Sequence, residues 1–413
     1  MSVEPYGREG ITLEEARQQI LDALSPLTAT EMVDLPQGLG RVPVHAVQAS
    51  SAVPGFRASI MDGYAVGGEG IPELGHRWRL IGSSAAGAPF AEKLQPDDAI
   101  RILTGAVVPE GCHRVVPQEL MQRQGDEIEL VKACGTNPWI RHPEEETAKG
   151  DVIVPSGNRL GVADLGRLAS CGIQTVKVAR KPTVGLLISG DELRPPGAER
   201  ALGQIWESNS TLLIGMLQRL GYPVIEQRIV PDQPEALRSA LVELADRSDV
   251  VVTTGGVSAG DTDWIRTLVE ELGEVSFWKL FLKPGRPFAW GWIENTPFFG
   301  LPGNPVAATL TALQLLWPAL QVLEGAEVEL LPRLKIRLEA EMRRAAGRPE
   351  LARARLVVAT DGSLWARVDG SQASSRIGSL QGADLLLEIP AECGTLPTGT
   401  ELWAQLLHRP LMA

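Results

Sequence analysis

The sequence predicts a multi-domain α/β plus β protein built around a central, mainly parallel sheet. Three observations carry this. The chain has 413 residues, which at roughly 150 residues per domain means two to four domains. Between residues 183 and 330, short apolar runs alternate with segments of helical period, the pattern of strand–helix units that pair into a parallel sheet covered on both faces. On either side of that stretch the apolar residues alternate in the strand manner, separated by Gly, Pro and Asp.

The elements follow in chain order. Thr12 and Glu15 have capping-box spacing, and Leu13, Ala16, Ile20 and Leu24 recur at helical intervals, so the first segment is a helix ending before Pro26. From 42 to 150, the runs VPVHAV, RWRLIG, AIRIL, RVVPQ and EIELV read as short strands of a β-rich region. DVIVP, VADLGRLASCG and TVKVAR then read as strand, helix and strand, with the lone Cys171 a small core residue. TVGLLIS, VIEQRIV and DVVVTT are three strands, each followed by a helix. The first helix carries Leu213, Met216, Leu217 and Leu220, with Ser208 and Asn209 as caps and Gly221 closing it. The second carries Leu237, Ala240, Leu241 and Leu244, and the third Ile265, Leu268, Val269 and Leu272. FWKLFL, FAWGW and FFGL are strand-like, and a helix from about Val306 meets Pro318, a kink position. LKIRLEA, ARARLVV, LWARV, DLLLEIP and ELWAQLL make a small terminal β domain.

Composition narrows the function classes. Hydrophobic residues are 44% and charged ones 22%, ordinary globular values. The 43 glycines and 30 prolines exceed the usual share of roughly 12 % and signal turns rather than disorder. No run of 18 uncharged apolar residues stands out, so no membrane span is expected. The opening MSVEPYGREG lacks the apolar core of a signal peptide, so a cytoplasmic protein is expected. Cys112, Cys134, Cys171 and Cys393 share no CxxC spacing, and the five histidines form no HxH or HExxH, so neither a zinc site nor a disulfide framework is indicated. With 39 basic and 51 acidic residues, a net charge of −12 and no long basic run, the chain is a poor candidate for nonspecific nucleic-acid binding.

The chemistry is expected at strand ends. SGDEL (189–193), Pro231-Asp232, TTGGVSAGDTD (253–263), KPGRP (283–287) and LPGNP (301–305) each follow a predicted strand. Ligands of open α/β sheets bind outside the carboxyl ends of strands, so the five segments should line one cleft. Gly255, Gly256 and Gly260 allow backbone N–H groups to approach an anion, or else serve a packing turn. There is no GxxxxGK[ST] and no GxGxxG after a strand. Lys279, Lys283 and Arg286 form a local basic cluster, either an anion site or a solvated edge; in a strand, Lys279 and Lys283 would share a face. Asp62, Glu192, Asp232, Asp261 and Asp263 are the opposing class. Carboxylates beside phosphate-binding groups commonly hold Mg²⁺, although Asp232 and Asp263 could instead cap helices. Together these groups point to a phosphorylated substrate, a hard metal and phosphoryl-type chemistry.

Seven motifs in order carry a resemblance: SIMDGYAV (59–66), LTGAVVPEG (103–111), ISGDEL (188–193), GQIWESN (203–209), TTGGVSAGDTD, FWKLFLKPGRPFAWG (277–291) and GLPGNPVAATL (300–310). Nearly the whole chain resembles the molybdopterin molybdenumtransferase family, the MoeA type that includes the E domain of gephyrin. The resemblance implies an elongated homodimer with four parts per chain: a molybdopterin-binding α/β domain (10–26 plus 182–328), a small α/β linker domain (27–46 plus 145–181), an inserted β-rich domain (47–144) and a C-terminal β-barrel (329–413). It implies a reaction in which adenylylated molybdopterin and molybdate give molybdenum cofactor and AMP with Mg²⁺. It further implies contact with a molybdopterin adenylyltransferase and with cofactor-accepting enzymes.

Site roles follow from the same resemblance. Asp62 and Thr104 match active-site positions contributed across the dimer. Glu192, Asp232 and Asp263 match acidic positions that hold metal or assist hydrolysis. Lys279 and Lys283 match lysines that bind phosphate or molybdate. Pro302 and Pro305 shape the anion pocket, and Gly255, Gly256 and Ser258 hold the pterin-side phosphate. Four departures stand out: Cys112-His113-Arg114 replaces a small–Asp–small triplet, Arg286 stands for a common Lys, Ala307 for a frequent Ser, and Glu146 for a usual Asp. Two other functions use related parts. A molybdopterin adenylyltransferase shares the α/β domain but needs no more than it. A gephyrin-like scaffold would not need to keep these charges in a cleft.

Overall fold

The computed structural model describes residues 10–256 and 264–407. Its centre is a six-stranded sheet of Val184–Ser189 (β1), Val224–Val230 (β2), Val250–Thr254 (β3), Gly273–Phe277 (β4), Ala289–Ile293 (β5) and Thr296–Leu301 (β6), in the order β2-β1-β3-β6-β5-β4. The β1–β2, β1–β3 and β3–β6 pairs are parallel, and β4 and β5 extend the sheet antiparallel. Every residue of β1 and β3 is buried, as the unbroken apolar runs predict for strands covered on both faces. Side chains alternate between two cores: Leu186 and Ile188 join one, Leu187 the other.

Five helices cover this sheet: Leu13–Ala23 (α1), Asn209–Leu220 (α2), Pro234–Arg247 (α3), Trp264–Leu272 (α4) and Pro305–Glu324 (α5). In α1 the Thr12–Glu15 capping box is formed, and Ala16 and Ile20 are fully buried against α5. The cap of α2 differs from expectation. The Ser208 hydroxyl makes no cap bond; the buried Glu207 carboxylate instead accepts the Ser210 N–H at 2.8 Å. A carboxylate at a helix N-terminus satisfies an orphan donor and meets the positive end of the dipole. Gly221, at φ +88°, closes the helix as expected.

Helix α5 answers the expected kink at Pro318. Proline has no N–H and crowds the carbonyl four residues back. The residues before it, Ala312–Leu316, widen into a π-helical turn, and the freed Gln314 carbonyl accepts from Arg17 Nε at 3.1 Å. By length and composition this helix could cross a membrane, so the expectation that no such segment exists is corrected. The apolar stretch is 94% buried inside the protein, where it forms much of the main core.

Two further sequence expectations fail locally. FWKLFL is not one strand: β4 stops at Phe277, and the backbone beyond bonds to Ile11 and Arg286 rather than to a sheet neighbour. Lys279 and Lys283 therefore share no strand face. VPVHAV is mostly irregular: Pro43 makes an isolated bridge to Val178, and Val47–Gln48 pairs with Val152–Val154. The rest follows the predicted character. Thr30–Asp34 pairs antiparallel with Thr175–Ala179, and with the helix Val162–Ser170 they bury Cys171. A second six-stranded sheet comprises Cys112–Pro117, Gly63–Gly67, Asp98–Ile102, Arg77–Ser84, Glu127–Leu130 and Met121–Gln124. The terminal strands Arg333–Leu338, Leu364–Arg367, Glu350–Val358, Leu385–Ile389 and Glu401–Leu406 close into a five-stranded barrel. Closure removes the unpaired edges a short sheet would expose.

Candidate active site

A cavity of about 960 Å³ opens at the carboxyl ends of β1, β2, β3 and β6. All five predicted segments reach it: Ser189 to Leu193, Asp232, Thr254 to Gly256, Lys283 to Pro287, and Pro302 to Pro305. The glycine turn is shaped by close approach. Gly255 and Gly256 have φ of +90° and +63°. A Cβ on Gly255 would lie 2.5 Å from the Ser189 carbonyl oxygen, and one on Gly256 2.6 Å from Ile265. Glycine is therefore required twice, by backbone angle and by space.

Asn209 ties two of these segments together. Its Nδ2 donates to Thr254 Oγ1 at 2.7 Å and to the Gly303 carbonyl at 2.8 Å, while Thr254 Oγ1 donates to the Pro302 carbonyl at 3.2 Å. These groups are buried, so a lost partner leaves an unmet polar atom worth about 1–3 kcal/mol. Asn209→Ala is expected to lower turnover by roughly 10-fold or more with the overall fold kept; wild-type kinetics in a folded variant would contradict this.

Charges divide the cavity. Lys283, Arg286 and Arg348 supply the cations. Lys283 Nζ lies 3.2 Å from the buried Glu350, which also accepts from Arg344 Nε at 3.2 Å. The Arg348 guanidinium donates to the Leu282 carbonyl at 3.2 Å. Burial lowers the Arg348 pKa, and the nearby Arg286 lowers it further. Among the described residues the carboxylates are Glu192, Glu207 and Asp232, of which Glu207 is bonded to Ser210. Burial raises the Asp232 pKa, and Asp191 and Glu192 add to the rise. The nearby Ser189 hydroxyl opposes that shift, and it is buried without a well-formed hydrogen bond among the described residues. Asp232 does not cap α3: Gln233 holds the cap position, and the Asp232 N–H donates to Asp191 Oδ1 at 3.1 Å. Ser258 and Asp263, with Gly260 and Asp261, lie outside the described residues. Among the described residues no group of three or more His, Cys, Asp or Glu is arranged to hold a metal.

Four predicted residues, Asp62, Thr104, Glu146 and Lys279, stand away from this cavity within one chain. Lys279 lines a separate cavity of about 330 Å³ with Gly10, Ile11, Arg266, Phe277 and Trp278. Glu146 is exposed, 3.6 Å from Arg141. Asp62 directly precedes the second-sheet strand Gly63–Gly67, and its Oδ1 accepts from both the N–H and the hydroxyl of Thr104, each at 2.7 Å. Those two bonds hold the Asp62 carboxyl below its ordinary pKa. Thr104→Val removes the hydroxyl and is expected to move that pKa back up; an NMR titration showing no rise would overturn the assignment. The sign follows from linkage: a depressed carboxyl favours the fold above its unfolded pKa and loses that contribution as pH falls through the folded value.

Other lining residues were not identified from the sequence. Arg348, Gln372 and Ser374 come from the barrel, and Trp206 and Asn209 from GQIWESN. That motif was visible as a motif, but nothing marked which of its side chains would face a ligand. The Cys112-His113-Arg114 departure has a structural explanation. Arg114 donates to the carbonyls of Gly135, Thr136 and Asn137 at 2.8, 3.2 and 2.7 Å, and Cys112 is buried with its pKa pushed up to about 11. The triplet here braces a turn.

With this geometry established, likeness to known proteins is decisive. Residues 11–172 match the MoeA N-terminal region (domain I and II), 185–322 the probable molybdopterin binding domain, and 335–407 the MoeA C-terminal region (domain IV). A molybdopterin molybdenumtransferase from Haemophilus influenzae is 34% identical over 393 residues, spanning 94% of this chain and 96% of that protein. This chain belongs to the molybdopterin molybdenumtransferase (MoeA) family. It is also 30% identical to gephyrin from Dictyostelium discoideum, over 96% of this chain and 62% of gephyrin. The molybdopterin biosynthesis MoeA protein from Pyrococcus horikoshii superposes with a TM-score of 0.81 at 29% identity, covering 97% of this chain and 100% of that one. Within the MoeA family frame, the strand-end loops of the cavity fall in the molybdopterin-binding match, and Arg348 falls in the C-terminal match.

Proposed function

We propose that this protein makes molybdenum cofactor by inserting molybdate into adenylylated molybdopterin, with release of AMP. One observation carries the reading: among the described residues, a single cavity is lined by three cations, the two glycines of the β3 turn and three carboxylates, one of them the Glu207 cap. Molybdate and phosphate are both tetrahedral oxyanions, so Lys283, Arg286 and Arg348 suit either. The volume fits a small-molecule ligand, the usual range being roughly 300–1,000 Å³.

A Mg²⁺ ion belongs to the proposal. Glu192 and Asp232 would hold it, because burial and mutual repulsion already raise Asp232 and a cation relieves both. When bound, such an ion neutralises phosphate charge. The chain's own groups bind and orient the two anions.

A homodimer is proposed as well, since the Asp62–Thr104 pair does not line the active-site cavity of its own chain yet resembles an active-site pair. Mixing Asp62→Ala and Lys283→Ala subunits should restore part of the activity each lacks alone; no recovery in a verified mixed dimer would reject shared sites. Delivery contacts with an adenylyltransferase and with acceptor enzymes are proposed on the same footing.

The test of the reaction is direct: purified protein, adenylylated molybdopterin, molybdate and Mg²⁺ should give AMP and active cofactor. ATP-dependent adenylylation of free molybdopterin, without molybdate insertion, would make it an adenylyltransferase. Binding without AMP release would make it a scaffold. Arg348→Ala should raise the KM for molybdate about 10- to 100-fold, the worth of a charge-assisted hydrogen bond; an unchanged KM removes Arg348 from the anion site.

A further inference from the structure

We propose that Trp206 is the stacking platform for the flat nitrogen heterocycle of the substrate. This deepens the proposed reaction and rests on it. The starting point is an exposed indole in a cavity otherwise suited to oxyanions. Ile205 and Trp206 are 51% and 50% exposed and line the cavity on a two-residue strand paired with Leu193–Arg194. Apolar surface left in water on a cavity wall gains free energy only when a ligand covers it.

The indole is held in place. Its Nε1–H donates to the Ala198 carbonyl at 3.0 Å, and the Arg200 guanidinium lies 3.8 Å from the ring centroid. Trp206 lines the cavity and Arg200 does not. The guanidinium takes one face of the ring, and the proposed heterocycle would stack on the other. A ring fixed before binding loses little further freedom when a base stacks on it. The cavity accordingly offers two kinds of surface, apolar from Ile205 and Trp206 and charged from Lys283, Arg286 and Arg348. A flat heterocycle carrying a phosphate has the same division.

Adenine and pterin share that chemistry, and binding measurements separate them. Titrating AMP, molybdopterin and ribose 5-phosphate into wild type, Trp206→Ala and Trp206→Phe gives three arms. Loss of stacking is expected to weaken one heterocycle about 5- to 100-fold in Trp206→Ala, with most of the loss recovered in Trp206→Phe. Weakened AMP names adenine as the stacked ring; weakened molybdopterin names the pterin. Ribose 5-phosphate should bind wild type and Trp206→Ala equally. The proposal is overturned if both heterocycles bind Trp206→Ala within twofold of wild type. It is also overturned if ribose 5-phosphate weakens equally, or if wild type binds neither heterocycle. Absence of wild-type turnover would sink the proposed reaction instead, while the binding comparison still decides the stacking.

Discussion

Gly255→Ala is expected to lower kcat/KM for AMP release by about 100-fold or more, the scale on which a displaced site loses catalysis. The new Cβ would meet the Ser189 carbonyl oxygen at 2.5 Å, a backbone atom that no rotamer change can move. The φ of +90° adds strain of its own. Relief requires the β3 turn to withdraw from the end of β1, and that carries Thr254 away from Asn209 and Pro302. Two controls separate the causes. Gly197 has a φ of +87° but nothing within 4 Å, so Gly197→Ala tests backbone strain alone. Gly303 lines the same cavity, where an added Cβ would be 3.5 Å from Gly255, an ordinary contact. Both controls should keep most activity. Wild-type kinetics in Gly255→Ala, or equal loss in Gly197→Ala, would refute the close-approach argument.

Much of this architecture was legible because burial leaves a period in the sequence. The unbroken run in β1 marks a strand covered on both faces, and the Thr12–Glu15 spacing marks a helix start. The strand-end segments were legible for a similar reason: polar and glycine-rich residues directly after buried strands must lie at one edge of the sheet. What stayed hidden depends on long-range contact. Arg348 enters the cavity because Lys283 and Leu351 exchange backbone bonds with each other's segments, and no local period announces that pairing. The Glu207 cap was hidden because Ser208 is an equally good cap by type. The shared strand face of Lys279 and Lys283 was expected because FWKLFL reads as one strand, whereas β4 stops at Phe277 and the backbone beyond it turns to Ile11 and Arg286.

The second large effect is expected on stability. Arg159 joins the small α/β region to the central one: its guanidinium donates to the Glu324 carboxylate at 2.6 Å, the Tyr222 hydroxyl at 2.5 Å and the Gly40 carbonyl at 2.9 Å. The Glu324 side chain is fully buried and that of Arg159 nearly so, at 0% and 14% exposure. Burial pulls the Arg159 pKa down, yet Tyr222 and Glu324 outweigh it, so the guanidinium stays charged. Glu324→Ala leaves that charge without its partner, which costs about 3–5 kcal/mol. The attraction within the pair is not itself worth that much, because two ions had to leave water to form it. Replacing both residues by leucine should therefore be milder than Glu324→Ala, the remaining cost coming from the Tyr222 hydroxyl and the Gly40 carbonyl that lose Arg159. Glu324→Gln keeps an acceptor and should fall between. A multi-domain chain unfolds in more than one step, so the readout is the transition of the central region, followed by urea titration of the full chain. All three variants should bind AMP as wild type does, because the triplet does not line the cavity. Were the double leucine variant as unstable as Glu324→Ala, packing rather than the stranded charge would set the cost.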